Sequence, residues 1–145
     1  MERILTQNGS INYVVDAIDT VSSKIEIIKY CNKNNIKIIS CMGTGNKLDA
    51  SKFEITNISK TSVCPLAKVM RKELKKLGID IKVLYSKEEP IKPVQFDNGS
   101  VDYEENNIDK EVSICSSNMP PASISFVPSV AGLLIAGEVV KDLIK

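Results

Sequence analysis

Residues 12–42 constrain the fold more than any other stretch of this 145-residue chain. Residues 12–18 form an apolar run with hydrophobic side chains on both faces, as a central strand of a parallel sheet requires. Residues 20–34 then place Val21, Ile25, Ile28 and Cys31 on one side of an amphipathic helix. Ile36 to Met42 is a second apolar strand, closed by Gly43-Thr44-Gly45. Strand, helix and strand in about thirty residues make a βαβ unit, whose crossover is nearly always right-handed. The opening strands should therefore be parallel and belong to an α/β sheet.

The rest of the chain extends this unit. Phe53 to Ile58 alternates like a further strand, and Val63 to Leu77 reads as a helix with Leu66, Met70, Leu74 and Leu77 facing the core. Gly78 follows, where a helix-ending glycine belongs. Ile79 to Tyr85 is the next strand. From Lys87 to Glu111 the chain turns polar and acidic, with Asp97, Asp102, Glu104, Glu105, Asp109 and Glu111, and a long surface excursion with a hairpin near Asn98-Gly99 is expected. Ser123 to Val127 is read as a last strand. Pro128 then starts a C-terminal helix expected to bury Val130, Leu133, Leu134, Val140 and Leu143. Residues 1–10 read as a short helical segment ending at the Asn8-Gly9 turn. Residues 1–145 are thus one domain of three layers, with a mixed parallel and antiparallel sheet.

Composition removes several kinds of chemistry. The chain contains no histidine, which excludes Ser-His-Asp and Cys-His catalysis within it and any zinc site that needs imidazole. Cys31, Cys41, Cys64 and Cys115 are widely spaced and form no Cys-x-x-Cys pair, so free thiols in a reducing cytoplasm are the simplest reading. A net charge of +1 predicts no general attraction to nucleic acid or anionic membrane, so such binding needs a local patch. The most apolar stretch, Ile124 to Val140, is interrupted by Pro128 and carries Glu138, which suits a buried helix rather than a membrane span.

Candidate sites gather where the first strands end. Asp16 and Asp19 stand three residues apart at the tip of an apolar strand, where ligands bind in open α/β sheets. Paired carboxylates there suit hydrated magnesium and a nucleotide phosphate; equally, Asp19 could cap the next helix. Lys24, one turn on, reads either as a phosphate contact or as a solvated lysine. Cys64 precedes Pro65 at a helix start, a position that lowers a thiol's pKa, although free cysteine is more commonly a small buried apolar residue. The run Lys68, Arg71, Lys72, Lys75 and Lys76 lies on an exposed helix face and could meet RNA phosphates or only solvent.

Taken together, these segments resemble the C-terminal half of the ThiF/MoeB/HesA superfamily, the bacterial relatives of ubiquitin-activating enzymes, and within it the tRNA threonylcarbamoyladenosine dehydratase branch. The resemblance rests on Tyr13-Val14-Val15-Asp16-Ala17-Ile18-Asp19-Thr20-Val21 and Ile38-Ile39-Ser40-Cys41-Met42-Gly43-Thr44-Gly45-Asn46-Lys47-Leu48-Asp49. It continues through Ile58-Ser59-Lys60-Thr61-Ser62-Val63-Cys64-Pro65-Leu66-Ala67, Tyr85-Ser86-Lys87-Glu88-Glu89-Pro90 and Ser123-Ile124-Ser125-Phe126-Val127-Pro128-Ser129-Val130-Ala131-Gly132. It implies a Rossmann-like fold, incomplete here relative to the family. It further implies binding of ATP-Mg and adenylyltransferase chemistry on a carboxylate, with cyclisation of the modified adenosine in tRNA as the branch's reaction.

By position, the resemblance assigns Asp19 the magnesium and triphosphate contact, leaves Asp16 as strand-end support and makes Cys64 the matching crossover thiol. It implies a homodimer, or pairing with a full-length paralogue, and no membrane. The family's zinc-binding Cys-x-x-Cys motifs are missing. So is its Gly-rich phosphate loop, which has no counterpart before Asp16. The expectation is a truncated member with little adenylation activity alone, or a non-catalytic binding module.

Overall fold

The computed structural model describes residues 11–91 and 122–145. The expected helical segment at 1–10, the polar excursion beyond residue 91 with its hairpin, and Cys115 lie outside them. The described elements are β1 (Tyr13–Asp16), α1 (Val21–Lys33), β2 (Lys37–Cys41), β3 (Phe53–Asn57), α2 (Pro65–Lys76), β4 (Lys82–Ser86) and α3 (Phe126–Leu143), with 3-10 turns at Ala50–Lys52 and Ile58–Lys60. The strand order is β1-β2-β4-β3. β1 pairs with β2 and β2 with β4 in parallel, while β3 runs antiparallel to β4. The mixed sheet is therefore as expected.

Both crossover helices stop by the same device. At the end of α1, Asn35 adopts φ +53° and Ile36 N–H donates to the Cys31 carbonyl. At the end of α2, Gly78 adopts φ +66° and Ile79 N–H donates to the Leu74 carbonyl. A left-handed residue followed by a bond back across the last turn caps the free carbonyls and turns the chain toward the next strand. Asparagine and glycine are the residues that enter this region at least cost.

The middle of the sheet is covered on both sides, so Val83, Leu84 and Tyr85 of β4 are all buried. Val83 and Tyr85 pack with Ile28 of α1 and Ala67, Met70 and Leu74 of α2, whereas Leu84 and Ile39 face Ala131 and Ile135 of α3. At the opposite end from the strand tips, Lys82 bonds to Glu138 and Asp142, and Tyr13 donates to Asp142, fastening the end of α3 to β1 and β4. No helix among the described residues is long and apolar enough to cross a membrane.

Four local expectations are corrected. Ser123–Val127 is not a strand: α3 begins at Phe126, and Pro128 lies inside its first turn, where a missing N–H costs nothing. The face of α3 also differs, because Val127, Ala131 and Ile135 are buried while Leu133, Leu134, Val140 and Leu143 are exposed. A helix apolar all round offers periodicity no face to choose. In α2, Leu77 is exposed and Ala67 takes the inward position. Finally, β1 is an edge of the described sheet rather than a central strand, and Val15 is 50% exposed.

Candidate functional site at the strand tips

The C-terminal tips of β1 and β2 open into a groove of about 440 Å³ bounded on its far side by α3. Val15, Ala17 and Asp19 line it from the first strand and its loop, and Cys41, Met42 and Thr44 from the second. The α3 wall is built from small residues, Ala131, Gly132 and Ala136, beside Ile135. Asp19 is exposed here, and among the described residues no group donates a hydrogen bond to its carboxylate. The sequence placed Asp19 at this tip, and the groove is what the fold adds.

Asp16 points the other way. Its side chain is 1% exposed and that of Lys24 is fully buried. Lys24 Nζ donates to Asp16 Oδ2 at 2.9 Å, to Ser40 Oγ at 3.2 Å and to the Cys41 carbonyl at 2.8 Å. Ser40 Oγ donates to the same Asp16 Oδ2 at 2.5 Å, and Asp16 Oδ1 accepts the Ile18 N–H at 3.0 Å. All three ammonium protons are used. Lys24 is thus neither the phosphate contact nor the solvated lysine that its sequence position suggests. Helix α1 turns it inward, because the second turn of the crossover lies against the polar end of β2. Asp16 and Lys24 form a buried strut that joins β1, β2 and α1 directly behind the Asp19 loop.

Cys64 is buried in the core beside Ile28, Met42 and Ala67, at the start of α2. The residue before it is distorted: Val63 has φ +55°, and Cys64 N–H donates to the Ser62 carbonyl at 2.5 Å across it. Such a γ-turn is rare and strained, more so for a β-branched residue. Burial, the largest influence on Cys41, pushes its thiol up to about 11 although Lys24 acts in the opposite direction. Burial also raises the Cys31 thiol. Among the described residues no group of three carboxylates, thiols or imidazoles could hold a metal.

Sequence reasoning missed a second polar knot. Glu88 Oε1 and Oε2 accept the Leu48 and Asp49 N–H groups, each at 3.0 Å, and the Glu88 carbonyl accepts from buried Lys47 Nζ. Burial lowers the Lys47 pKa. Nearby, Asn46 at φ +57° ties Ile91 to Ala122 through its backbone and side chain. The available signal was the Asn46-Lys47-Leu48-Asp49 and Ser86-Lys87-Glu88-Glu89 pair of polar motifs, which spacing alone does not bring together.

Several known proteins are similar to this chain. The chain is 44% identical over 140 residues to a tRNA threonylcarbamoyladenosine dehydratase of Bacillus subtilis, covering 93% of this chain and 52% of the relative. It is 36% identical over 80 residues to the enzyme of that name from Escherichia coli, covering 48% and 30%. A crystal structure of the E. coli dehydratase with AMP superposes with TM-score 0.69 at 24% identity, covering 92% of this chain and 48% of that one. A second, with ATP, gives TM-score 0.54 at 31% identity over 59% and 39%. The chain spans about half the length of the B. subtilis relative and less of the others. No protein-family profile matches it.

Proposed function

We propose, for a chain related over nearly its whole length to the tRNA threonylcarbamoyladenosine dehydratases of the ThiF/MoeB/HesA superfamily, that it forms one half of an ATP-dependent tRNA-modifying enzyme. The reaction would adenylate the carboxylate of the threonylcarbamoyl group on a tRNA adenosine and close it to a ring. The water lost is taken up as ATP becomes AMP and pyrophosphate. The observation that carries this reading is Asp19, an unengaged carboxylate in a groove at the strand tips of a chain 44% identical to such a dehydratase.

Asp19 fits a magnesium ion carried on a triphosphate. A magnesium ion that arrives on a triphosphate needs only one or two protein carboxylates, and Asp19 supplies one. The bound ion would offset negative charge that builds on the phosphates. Asp16 and Lys24 contribute from behind, by holding the loop that carries Asp19. The outer apolar face of α3, with Leu133 73% exposed, favours association with a second copy or a longer paralogue.

The test uses this chain alone and mixed with the separately produced other half of the B. subtilis relative. Cyclised nucleoside in tRNA is measured by mass spectrometry, together with ATP–pyrophosphate exchange. Activity should require both pieces and ATP, and Asp19→Ala should abolish it. Robust exchange by this chain alone would overturn the expectation that it needs a partner half. Failure of every combination would leave the non-catalytic binding module as the better reading.

A further inference from the structure

The charge of this chain is unevenly placed. Between Lys60 and Asp80 there are six cations (Lys60, Lys68, Arg71, Lys72, Lys75 and Lys76) and two carboxylates (Glu73 and Asp80), a net +4. The whole chain is only +1, so the remainder carries −3. Helix α2 holds most of that positive segment, and its apolar side is already used, with Ala67, Met70 and Leu74 buried in the core.

The cations on α2 are not equivalent. Arg71 is tied down, donating to the Thr61 carbonyl and Oγ1, and Lys76 bonds to Glu73 at 2.7 Å. Lys68, Lys72 and Lys75 are exposed and pair with no carboxylate among the described residues. At positions i, i+4 and i+7 they make one stripe about 10 Å long. The stripe lies on the outer side of the α1–α2 layer, across the sheet from α3 and the groove.

We infer that the Lys68–Lys72–Lys75 stripe is a surface that grips the tRNA backbone at a distance from the groove that takes the modified adenosine; this rests on the function proposed above. A row of unpaired lysines neutralises successive phosphates and releases their counterions, which needs no base recognition. An anionic membrane fits less well. Surface-seeking helices insert an apolar face, and α2 has none left to insert.

The experiment measures binding of labelled tRNA by the full chain between 50 and 200 mM salt. Lys68→Glu/Lys72→Glu is compared with Lys29→Glu/Lys33→Glu, an equal charge change on exposed positions of α1. The α2 pair should weaken binding at least tenfold and lower the salt slope by roughly 1.4–1.8, at about 0.7–0.9 for each phosphate that is no longer neutralised. The α1 pair should weaken it less than threefold. Lys68→Gln/Lys72→Gln, checked by circular dichroism, guards against a folding artefact and should lose affinity in the same direction. Equal losses from both faces, no loss from α2, absence of wild-type tRNA binding, or α2-dependent binding to phosphatidylglycerol vesicles instead of tRNA would each overturn the inference. ATP–pyrophosphate exchange in the reconstituted enzyme is read in parallel. Exchange that persists while tRNA affinity ignores α2 removes this surface and leaves the proposed function standing.

Discussion

Replacing Lys24 by methionine tests the strut behind the candidate site most directly. The substitution nearly conserves side-chain length but removes the ammonium that bonds to Asp16, Ser40 and the Cys41 carbonyl. Asp16 then keeps only the Ser40 hydroxyl and the Ile18 N–H, as a carboxylate 1% exposed with no cation. Removing one partner of a buried pair costs about 3–5 kcal/mol. Against a total stability of roughly 5–15 kcal/mol, that is a large share. At about 2–4 °C per kcal/mol for a chain of this size, Tm should fall by roughly 6–20 °C. Asp16→Asn alone should also destabilise, because it strands the lysine. The double variant Asp16→Asn/Lys24→Met buries no charge and should recover about 2 kcal/mol of the summed loss. Urea unfolding followed by circular dichroism on the four proteins gives the cycle. A loss under about 1 kcal/mol for Lys24→Met, or single losses that add within about 0.5 kcal/mol, would refute the strut as an energetically coupled unit.

Three further outcomes are expected. Burial first, and then the hydrogen bond to Asp142, raise Tyr13 to about 12 from an ordinary value of 10. Because the folded value is the higher, its stabilisation is intact below pH 10 and is lost as pH rises toward 12; Tm measured over that range should fall less steeply in Tyr13→Phe. Alkylation of the native protein at pH 8 should be slow at Cys41 and Cys64, the first for its raised thiol and the second for its burial; modification of Cys64 at the rate of a free thiol would revive it as a reactive group. Val63→Gly should stabilise by about 1 kcal/mol in urea unfolding, since backbone strain of this kind costs about 1–3 kcal/mol and Val63 is half exposed; a loss of similar size would show that Val63 packing outweighs its strain.

The legible part of this chain was its local order. The βαβ unit, the existence of β3, the glycine that ends α2 and the position of Asp19 at a strand tip all follow from patterns a few residues long. The misread parts share one cause. α3 is apolar on every side, so no pattern selects Ala131 and Ile135 over Leu133 and Leu134. Lys24 is a lysine in an amphipathic helix, and only the approach of Asp16, Ser40 and the Cys41 carbonyl, from two strands, makes an inward ammonium possible. Glu88 meets Leu48 and Asp49 across some forty residues of sequence, which no local period can report.

The sequence by itself therefore determined the elements from Tyr13 to Ser86, their parallel start and the carboxylate at the first strand's tip, because backbone propensity and apolar period act over single turns and strands. Spacing left the two carboxylates equal and the family resemblance favoured Asp19; only the tertiary structure gives the physical reason that Asp16 is withdrawn from the groove. Asp16 and Asp19 are the same residue type three positions apart, yet one faces inward along the pleat toward Lys24 and the other leaves the strand into open space. A buried carboxylate must find a cation and hydrogen-bond donors, and only the packed sheet and helix supply them to Asp16, leaving Asp19 as the acid free to meet a ligand.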